Sequence, residues 1–226
     1  MSNVQSITEF YDSIAAEYNG HMTRADKKVR ESVHNLLASH LSKGNILDFG
    51  GGTGLDIPWF LEDKYLITFV EPSERMRSIA HVNHVSKEEV TFVEINTDFN
   101  KWKEGNMPFD HKVNGILANF AVLNCIGDIQ TLFEKFNLVS SADCRIVATV
   151  IDPGFRNMVR HYSFFAALRM LLQSRLTIFN TYKDQVHPTY IHSLASIKKA
   201  SSKHFILESI TPLELSSFAV LIFRKK

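Results

Sequence analysis

The chain has 226 residues, of which 45% are hydrophobic and 11% aromatic, enough for the core of one α/β domain with an appendage. Its 25 basic and 24 acidic residues give a net charge of +1, so charge provides no reason to expect DNA or RNA as a partner. Cys125 and Cys144 form no metal or redox motif and fit a reduced protein. The first residues lack a signal-peptide pattern, and no apolar run reaches membrane-spanning length. We therefore expect a single cytoplasmic domain over residues 1–226, without a metal site or a membrane span.

Residues 1–43 are predicted to form a helical cover over the rest of the domain. Phe10, Ile14 and Tyr18 recur at four-residue spacing, and a second apolar stripe follows between residues 29 and 41. A Gly-Asn pair then ends the helical pattern and introduces the first strand.

Residues 44–154 alternate strand patterns with helix patterns and are predicted to form the cofactor-binding core. Strands are predicted at residues 46–49, 66–70, 90–95, 113–118 and 144–151. Helices are predicted at residues 53–63, after Pro72, and through Leu132 and Phe136. This alternation is typical of a parallel sheet with helices on both faces.

The C-terminal part departs from this alternation. Residues 205–210 and 218–223 are both apolar strand patterns, and only seven residues separate them. Because parallel neighbours need a crossover of a dozen residues or more, these two strands should be antiparallel. We therefore predict an α/β, Rossmann-like sheet of seven strands that is mostly parallel and has an antiparallel C-terminal strand, which completes a terminal hairpin over residues 205–226.

The segment of residues 155–204 is longer than a single crossover helix requires and is predicted to form a lid. The apolar and aromatic run at 162–172 predicts a helix or a helical pair, and residues 186–193 are interpreted as a loop near the mouth of the site.

A glycine-rich turn follows the first strand, and acids stand beside it. Asp48 lies near the end of the strand, four glycines fall within residues 50–54, and Glu71 ends the second strand. An acid at the end of the second strand, beside a glycine turn after the first, is how α/β sheets bind the ribose of a nucleoside cofactor. A dinucleotide fingerprint needs a third glycine where this chain has Leu55, which disfavours a nicotinamide cofactor.

These segments resemble the motifs of the class I S-adenosylmethionine-dependent methyltransferases of the small-molecule type. Residues 47–54 resemble the first motif of that superfamily, residues 69–73 the second, and residues 118–124 the fourth. Residues 10–19 resemble the lead-in of many small-molecule methyltransferases, although Asn19 replaces the usual final acid. The resemblance implies S-adenosylmethionine as the cofactor and a sheet of five parallel strands completed by an antiparallel hairpin strand.

The resemblance also implies roles for single residues. Gly50 and Gly52 should leave room for the methionine part of the cofactor, since a Cβ there would occupy ligand space. Asp48 should help to hold its ammonium group, directly or through water, and Glu71 should accept hydrogen bonds from both ribose hydroxyls. The adenine amino group would meet Asp98 or Asn96, of which Asp98 is preferred, although Asp98 could instead cap a turn.

Together, the residues predicted to bind the cofactor are Tyr11, Tyr18, Asp48, Gly50, Gly51, Gly52, Gly54, Glu71, Pro72, Met76, Asp98, Phe99, Asn119 and Phe120. Tyr11 and Tyr18 are expected to close over the bound cofactor, although Tyr18 fits equally well into the apolar stripe of its own helix.

The acceptor is expected to be a small apolar or aromatic molecule that is methylated at oxygen, with nitrogen second. A hydroxyl acceptor needs a base, and the lid supplies His187 and His192 with Tyr190 between them, which are the predicted catalytic residues. His161 is the weaker candidate because it lies in the apolar helix pattern. The chain lacks the Asn/Asp-Pro-Pro-aromatic motif of the enzymes that methylate exocyclic amines of nucleic acids, so no DNA substrate is expected.

Two other functions are compatible with the same motifs. The chain could methylate a protein or RNA that docks on the lid, or it could be a non-catalytic scaffold that only binds S-adenosylmethionine. The sequence leaves the oligomeric state open.

Overall fold

The computed structural model describes residues 6–41, 43–182, 185–214 and 216–226. The α-helices are α1 (Ile7–Tyr18), α2 (Arg24–His40), α3 (Ile57–Glu62), α4 (Glu74–His84), α5 (Ile129–Val139), α6 (Phe155–His161), α7 (Phe164–Leu172) and α8 (Leu194–Ser201). The strands are β1 (Asn45–Phe49), β2 (Leu66–Val70), β3 (Val90–Phe92), β4 (Val113–Ala118), β5 (Ser140–Ile151), β6 (Arg175–Tyr182), β7 (Gln185–His192), β8 (Phe205–Pro212) and β9 (Phe218–Lys225).

Seven of these strands form one sheet in the order β3-β2-β1-β4-β5-β9-β8. Strands β1 to β5 pair in parallel, whereas β9 is antiparallel to both of its neighbours, β5 and β8. The predicted α/β class, the mostly parallel sheet and the antiparallel C-terminal strand are therefore confirmed.

Helices cover both faces of this sheet because its strands bury side chains alternately on each side. On β1, Ile46 packs into the cluster formed with α2 and α3, and Leu47 packs into the cluster formed with α5. On β9, Val220 and Leu221 divide between the same two clusters. Both faces of the sheet are thus buried under helices.

The two N-terminal helices begin at capping boxes. The Ser6 hydroxyl accepts a hydrogen bond from the Glu9 amide, and Thr23 accepts one from the Asp26 amide, while each acid bonds back to the cap residue. Helices α1 and α2 thus occupy most of residues 6–41, and residues 1–5 and 42 lie outside the described chain.

Three predicted boundaries in the core were wrong. Helix α3 begins at Ile57 rather than at residue 53, because residues 53–56 still belong to the glycine turn. Strand β3 ends at Phe92, three residues early, since its last partner on β2 is Phe69. Strand β5 begins at Ser140 rather than at residue 144, and a register shift against β4 accommodates the additional residues.

The lid, residues 155–204, is not a helix or helical pair alone. It contains the helices α6, α7 and α8 and a separate antiparallel hairpin of β6 and β7. The segment predicted as a loop at 186–193 is mostly strand β7. Leu176 and Ile178 of the hairpin pack against Met158 and Met170, so a small apolar cluster holds the lid together.

Among the described helices, none combines the length and the apolar character needed to cross a bilayer. Within the same part of the chain, no group of three or more His, Cys, Asp or Glu side chains is arranged to hold a metal ion.

Candidate cofactor site

The carboxyl ends of β1, β2 and β4 meet at one edge of the sheet, beside a cavity of about 560 Å³. The strand order makes β1 the neighbour of both β2 and β4, so the segments that follow these three strands converge there. Of the predicted cofactor-binding residues, all but Gly54 line this cavity: Tyr11, Tyr18, Asp48, Gly50, Gly51, Gly52, Glu71, Pro72, Met76, Asp98, Phe99, Asn119 and Phe120.

The glycines of the turn have different reasons to be glycine. A Cβ on Gly52 would meet only the Met76 sulfur at 3.8 Å, so this backbone is open toward the cavity, as predicted. At Gly50, however, φ is +71° and a Cβ would lie 2.8 Å from Val122, so the expected opening toward ligand is wrong there. Gly54 has a φ of +80° and lies outside the cavity lining, where a Cβ would meet Ala80 of α4 at 3.0 Å. Gly54 therefore permits helix packing rather than ligand contact.

Glu71 is buried at the end of β2 and holds the turn in place. One carboxyl oxygen accepts the amide N–H of Gly52 at 2.9 Å, and the other accepts that of Ser73 at 2.7 Å. Burial raises the pKa of Glu71 to about 7, although these two hydrogen bonds and the charge of Arg77 oppose the shift. Each oxygen can accept one further hydrogen bond, and the residue lines the cavity.

Asp48 is 1% exposed and lines the cavity from β1. Its Oδ2 atom has no hydrogen-bond partner among the described residues. Burial raises the pKa of Asp48 well above its ordinary value, and the nearby carboxylate of Asp56 adds to the shift. A buried acceptor without a partner is costly in a folded protein, so this atom marks a place where a donor from outside the chain would be stabilising.

An ion pair beside Asp48 was missed from the sequence. Asp56 accepts hydrogen bonds from Arg30 at 2.5 Å, from His34 at 2.8 Å and from Asn119 at 3.0 Å. Burial opposes ionisation of Asp56, but the hydrogen bond from His34 and the charge and hydrogen bond of Arg30 outweigh it, and its pKa falls to about 2. The only sequence signal was an acid just after the glycine turn, and Arg30 stands next to Val29 at the start of the apolar stripe of residues 29–41.

The segment after β4 has an unusual backbone conformation and places the aromatic ring of Phe120 at the cavity. Phe120 and Ala121 both have positive φ, at 51° and 62°, a left-handed conformation that non-glycine residues seldom adopt. The Arg30 guanidinium carbon lies 4.3 Å from the centre of the Phe120 ring, a cation–π contact. Thr149 donates a hydrogen bond to Asn119, which ties this segment to β5.

Helix α1 is fastened across the site. Asp12 accepts hydrogen bonds from the Ser73 hydroxyl at 2.6 Å and the Arg75 amide at 3.0 Å, at the start of α4. Asn19 stands where the similar methyltransferases usually have an acid, and it accepts a hydrogen bond from the Thr53 hydroxyl in the glycine turn. These contacts place Tyr11 and Tyr18 on the cavity wall.

Tyr11 also meets a cysteine that the sequence analysis did not assign to the site. Its hydroxyl lies 3.7 Å from the Cys125 sulfur, within the cavity lining. The proximity of Cys125 and burial raise the pKa of Tyr11, and burial raises the pKa of Cys125 to about 11. Both groups therefore carry their protons near neutral pH.

The structure separates the two candidates for contact with the adenine. Asp98 and Phe99 line the cavity, whereas Asn96 is used elsewhere. The Asn96 carbonyl accepts a hydrogen bond from the Trp102 indole at 2.7 Å, and its side chain donates to Asn106. The Asp98 carboxylate also accepts a hydrogen bond from the Asn100 amide. Asp98 therefore both caps a turn, which was the alternative role, and lines the cavity.

The predicted catalytic residues do not line this cavity. His187 lies in β7 with its ring centre 3.9 Å from that of Phe10, beneath α1. Tyr190 stacks on Arg175, and the His192 ring donates to the Ile126 carbonyl at 2.8 Å. Residues 185–192 thus form a paired strand rather than a loop at the mouth, and His187, Tyr190 and His192 are held by these contacts.

His192 instead lines a second, more open cavity of about 1100 Å³ between the lid and the start of α5. This second cavity shares Gly127 and Asp128 with the cofactor site. Asn124 links the lid to the core here, donating to the Tyr190 carbonyl and accepting the Ile151 amide.

Comparison with known proteins supplies a family. Residues 18–176 match the family model described as a methyltransferase domain. A search of the curated proteins gives no match.

Several solved structures share the fold at low sequence identity. The complex of DhpI with SAH aligns with a TM-score of 0.71 and 14% identity, covering 97% of this chain and 95% of that one. The 1,6-didemethyltoxoflavin-N1-methyltransferase of Burkholderia thailandensis aligns with a TM-score of 0.66 and 17% identity, covering 97% and 88%. The glycopeptide N-methyltransferase MtfA aligns with a TM-score of 0.60 and 12% identity, covering 85% of each chain.

Proposed function

The chain belongs to the family of methyltransferase domains, and from this premise we propose that it transfers a methyl group from S-adenosylmethionine to a small apolar or aromatic molecule. The observation that carries the proposal is the unpartnered, buried carboxyl oxygen of Asp48 in the wall of the cavity. S-adenosylmethionine supplies an activated methyl group on a sulfonium, and the protein has to bind, orient and shield it.

The residues present fit this cofactor. An ammonium group placed at the Asp48 Oδ2 atom would provide the missing hydrogen bond and would favour the ionised carboxylate, which burial otherwise opposes. The open backbone at Gly52 leaves room for the chain of the amino acid beside it.

Glu71 fits the ribose. Its two oxygens lie at the cavity wall and are held in position by the Gly52 and Ser73 amides, so no side-chain rotation is needed before binding. Two vicinal hydroxyls match two carboxylate oxygens, and such charge-assisted bonds are about twice as strong as neutral ones. Asp98 and Phe99 fit the adenine, the first as an acceptor for its amino group and the second as a ring to stack on.

The chain's own contribution to catalysis would be alignment and exclusion of water. Helix α1 spans the site with its Asp12 anchored at α4, and Tyr11 and Tyr18 form the wall beneath it. A cavity of about 560 Å³ falls in the range of about 300–1,000 Å³ typical of small-molecule sites. Apolar lining residues beyond the cofactor contacts, among them Ile7, Val122 and Ile126, favour an apolar or aromatic acceptor.

The accepting atom is proposed to be nitrogen rather than oxygen. The sequence pattern favours oxygen because it predicts histidine bases at the mouth, but His187 and His192 lie outside the described lining. The phenol of Tyr11 and the thiol of Cys125 hold their protons and are poor bases near neutral pH. An unprotonated amine attacks through its own lone pair and loses its proton afterwards, so it needs no such base. Two of the structural neighbours are N-methyltransferases by name.

A calorimetric titration with S-adenosylhomocysteine tests the cofactor, with NADH as the control. We expect binding of the first and none of the second. Acceptor activity is then tested with radiolabelled S-adenosylmethionine against matched pairs of aromatic amines and phenols. Binding of NADH alone would refute the cofactor, and transfer to phenols but not amines would refute the nitrogen acceptor.

A further inference from the structure

The lid carries an exposed apolar face. In α7, the exposed fractions are 57% for Phe164, 75% for Phe165 and 82% for Leu172. The opposite side of the same helix is buried through Ala167 and Met170 in the cluster that holds the lid together. Helix α7 therefore carries apolar side chains on both its buried side and its exposed side.

Helix α6 extends the same face. Phe155 and Val159 are 43% and 40% exposed, whereas Met158 is buried on the other side. The rings of Phe155 and Phe164 lie 6.1 Å apart, so the two helices present one continuous surface. We call this surface the lid face, which consists of Phe155, Val159, Phe164, Phe165, Leu168 and Leu172.

The two helices that form the lid face carry charge of one sign. Residues 153–183 contain five of the chain's 25 basic residues and none of its 24 acidic ones. Arg156, Arg160 and Arg169 are exposed, and none of them forms a salt bridge within the described part of the chain. At 100° per residue, the arginines of each helix lie beside its exposed apolar arc. Cationic side chains thus border the lid face while the net charge of the whole chain is only +1.

We propose that the lid face docks on the surface of an anionic phospholipid bilayer. Short helices with Phe and Leu on one side and Arg beside them lie in the plane of the interface, where the apolar side chains enter the acyl boundary and the cations meet lipid phosphates. A second copy of the chain fits less well, because a two-fold interface would bring the same unpaired arginines together without any acid to balance them. This inference concerns the lid alone and does not depend on methyl transfer.

Docking would also orient the rest of the molecule. Phe155 and Leu172 belong both to the lid face and to the lining of the second cavity, whose other end shares Gly127 and Asp128 with the cofactor site. A bilayer against the lid face would therefore lie beside the opening of the second cavity.

The test is flotation of the purified chain with lipid vesicles. One set of vesicles is phosphatidylcholine alone, and in the other about a third of the lipid is phosphatidylglycerol. We expect binding to the anionic set, weakened by salt because the arginine contribution is screened. The Phe165→Ser/Leu172→Ser double variant should bind at least about tenfold more weakly than the parent, since two large apolar side chains no longer enter the lipid. The Arg156→Gln/Arg160→Gln variant should lose the preference for anionic vesicles.

Matched controls change equally exposed residues elsewhere. Val82→Ser/Ile95→Ser alters side chains that are 77% and 74% exposed, and Lys27→Gln/Lys28→Gln removes two exposed cations from α2; both variants should bind like the parent. Absence of binding to anionic vesicles, or equal loss in the control variants, would overturn the proposal. So would a dimer in analytical ultracentrifugation that Phe165→Ser/Leu172→Ser converts to monomer, because a second copy would then cover the lid face.

Discussion

Replacement of Glu71 by Gln tests the ribose contact most directly. Glutamine keeps the size of the side chain but removes the charge and one of the two acceptor oxygens. Each Glu71 oxygen already accepts one backbone N–H, so each has one remaining acceptor direction for one ribose hydroxyl. Loss of one charge-assisted hydrogen bond costs about 1.5–3 kcal/mol, which corresponds to an affinity for S-adenosylhomocysteine weaker by a factor of about 10–150.

The pH dependence of binding provides a second, independent readout. Burial raises the pKa of Glu71 from 4.5 to about 7 in the free protein, so the carboxyl is increasingly protonated as the pH falls below 7. Ribose hydroxyls need the carboxylate as acceptor, and affinity should therefore decline below pH 7, by at most about tenfold per pH unit for one group. The same shift has the opposite sign for stability, because the folded state binds the additional proton. Its contribution to the free energy of unfolding is greatest below pH 4.5 and is lost as the pH rises to about 7.

The assay is calorimetry at pH 6, 7 and 8 on the parent, on Glu71→Gln and on a control, Glu74→Gln. Glu74 is exposed in the first turn of α4, so its variant should keep the parent's affinity and pH profile. Glu71→Gln should bind weakly at all three pH values with little slope. Thermal unfolding distinguishes loss of the ribose contact from damage to the glycine turn, because the Gly52 amide donates a hydrogen bond to the Glu71 side chain and a damaged turn would lower the melting temperature. Parent-like affinity and slope in Glu71→Gln would refute the ribose assignment.

Three further predictions address the rest of the site. Asp48→Asn should weaken S-adenosylhomocysteine binding in calorimetry by about tenfold or more, since a charged acceptor is lost. Its melting temperature should equal or exceed that of the parent, because a buried carboxyl is removed. Parent-like affinity would show that Asp48 does not belong to the site. Gly50→Ala should lower the free energy of unfolding in urea by about 1–3 kcal/mol more than Gly105→Ala. Both positions have a positive φ, but only at Gly50 would the Cβ meet a neighbour, so equal losses would contradict a clash with Val122. His187→Ala should lose the ring contact with Phe10 and about 0.5–1.5 kcal/mol of stability, with turnover of an identified acceptor retained; loss of turnover in a stably folded variant would restore His187 as the base.

The cofactor edge was predictable because it depends on local sequence order. Parallel strands bring the residues at their carboxyl ends together, so Asp48 and Glu71 could be placed at one site from the strand patterns, and Asn119 from the resemblance of residues 118–124 to a family motif. The antiparallel terminus was predictable for a similar reason, since a connection of seven residues cannot form a crossover.

The lid could not be derived in this way because its structure depends on distant contacts. Strand β7 contains a proline and two histidines and has no clear alternation, and it is stabilised by pairing with β6 and by packing under α1. Pro188 is tolerated because a two-stranded sheet consists only of edges. Arg30 was missed for the same reason, since only the folded chain brings it next to Asp56.

The same contacts explain why the predicted base was misplaced and connect the lid to the cofactor site. Helix α1 has its Tyr11 in the cavity wall, its Asp12 on the start of α4 and its Phe10 on His187 of the lid hairpin. His187 therefore packs the hairpin against α1, with its ring 3.9 Å from that of Phe10 and 6.4 Å from that of Tyr11, and does not itself line the cavity. One helix thus connects the lid hairpin, the start of α4 and the wall of the cofactor site.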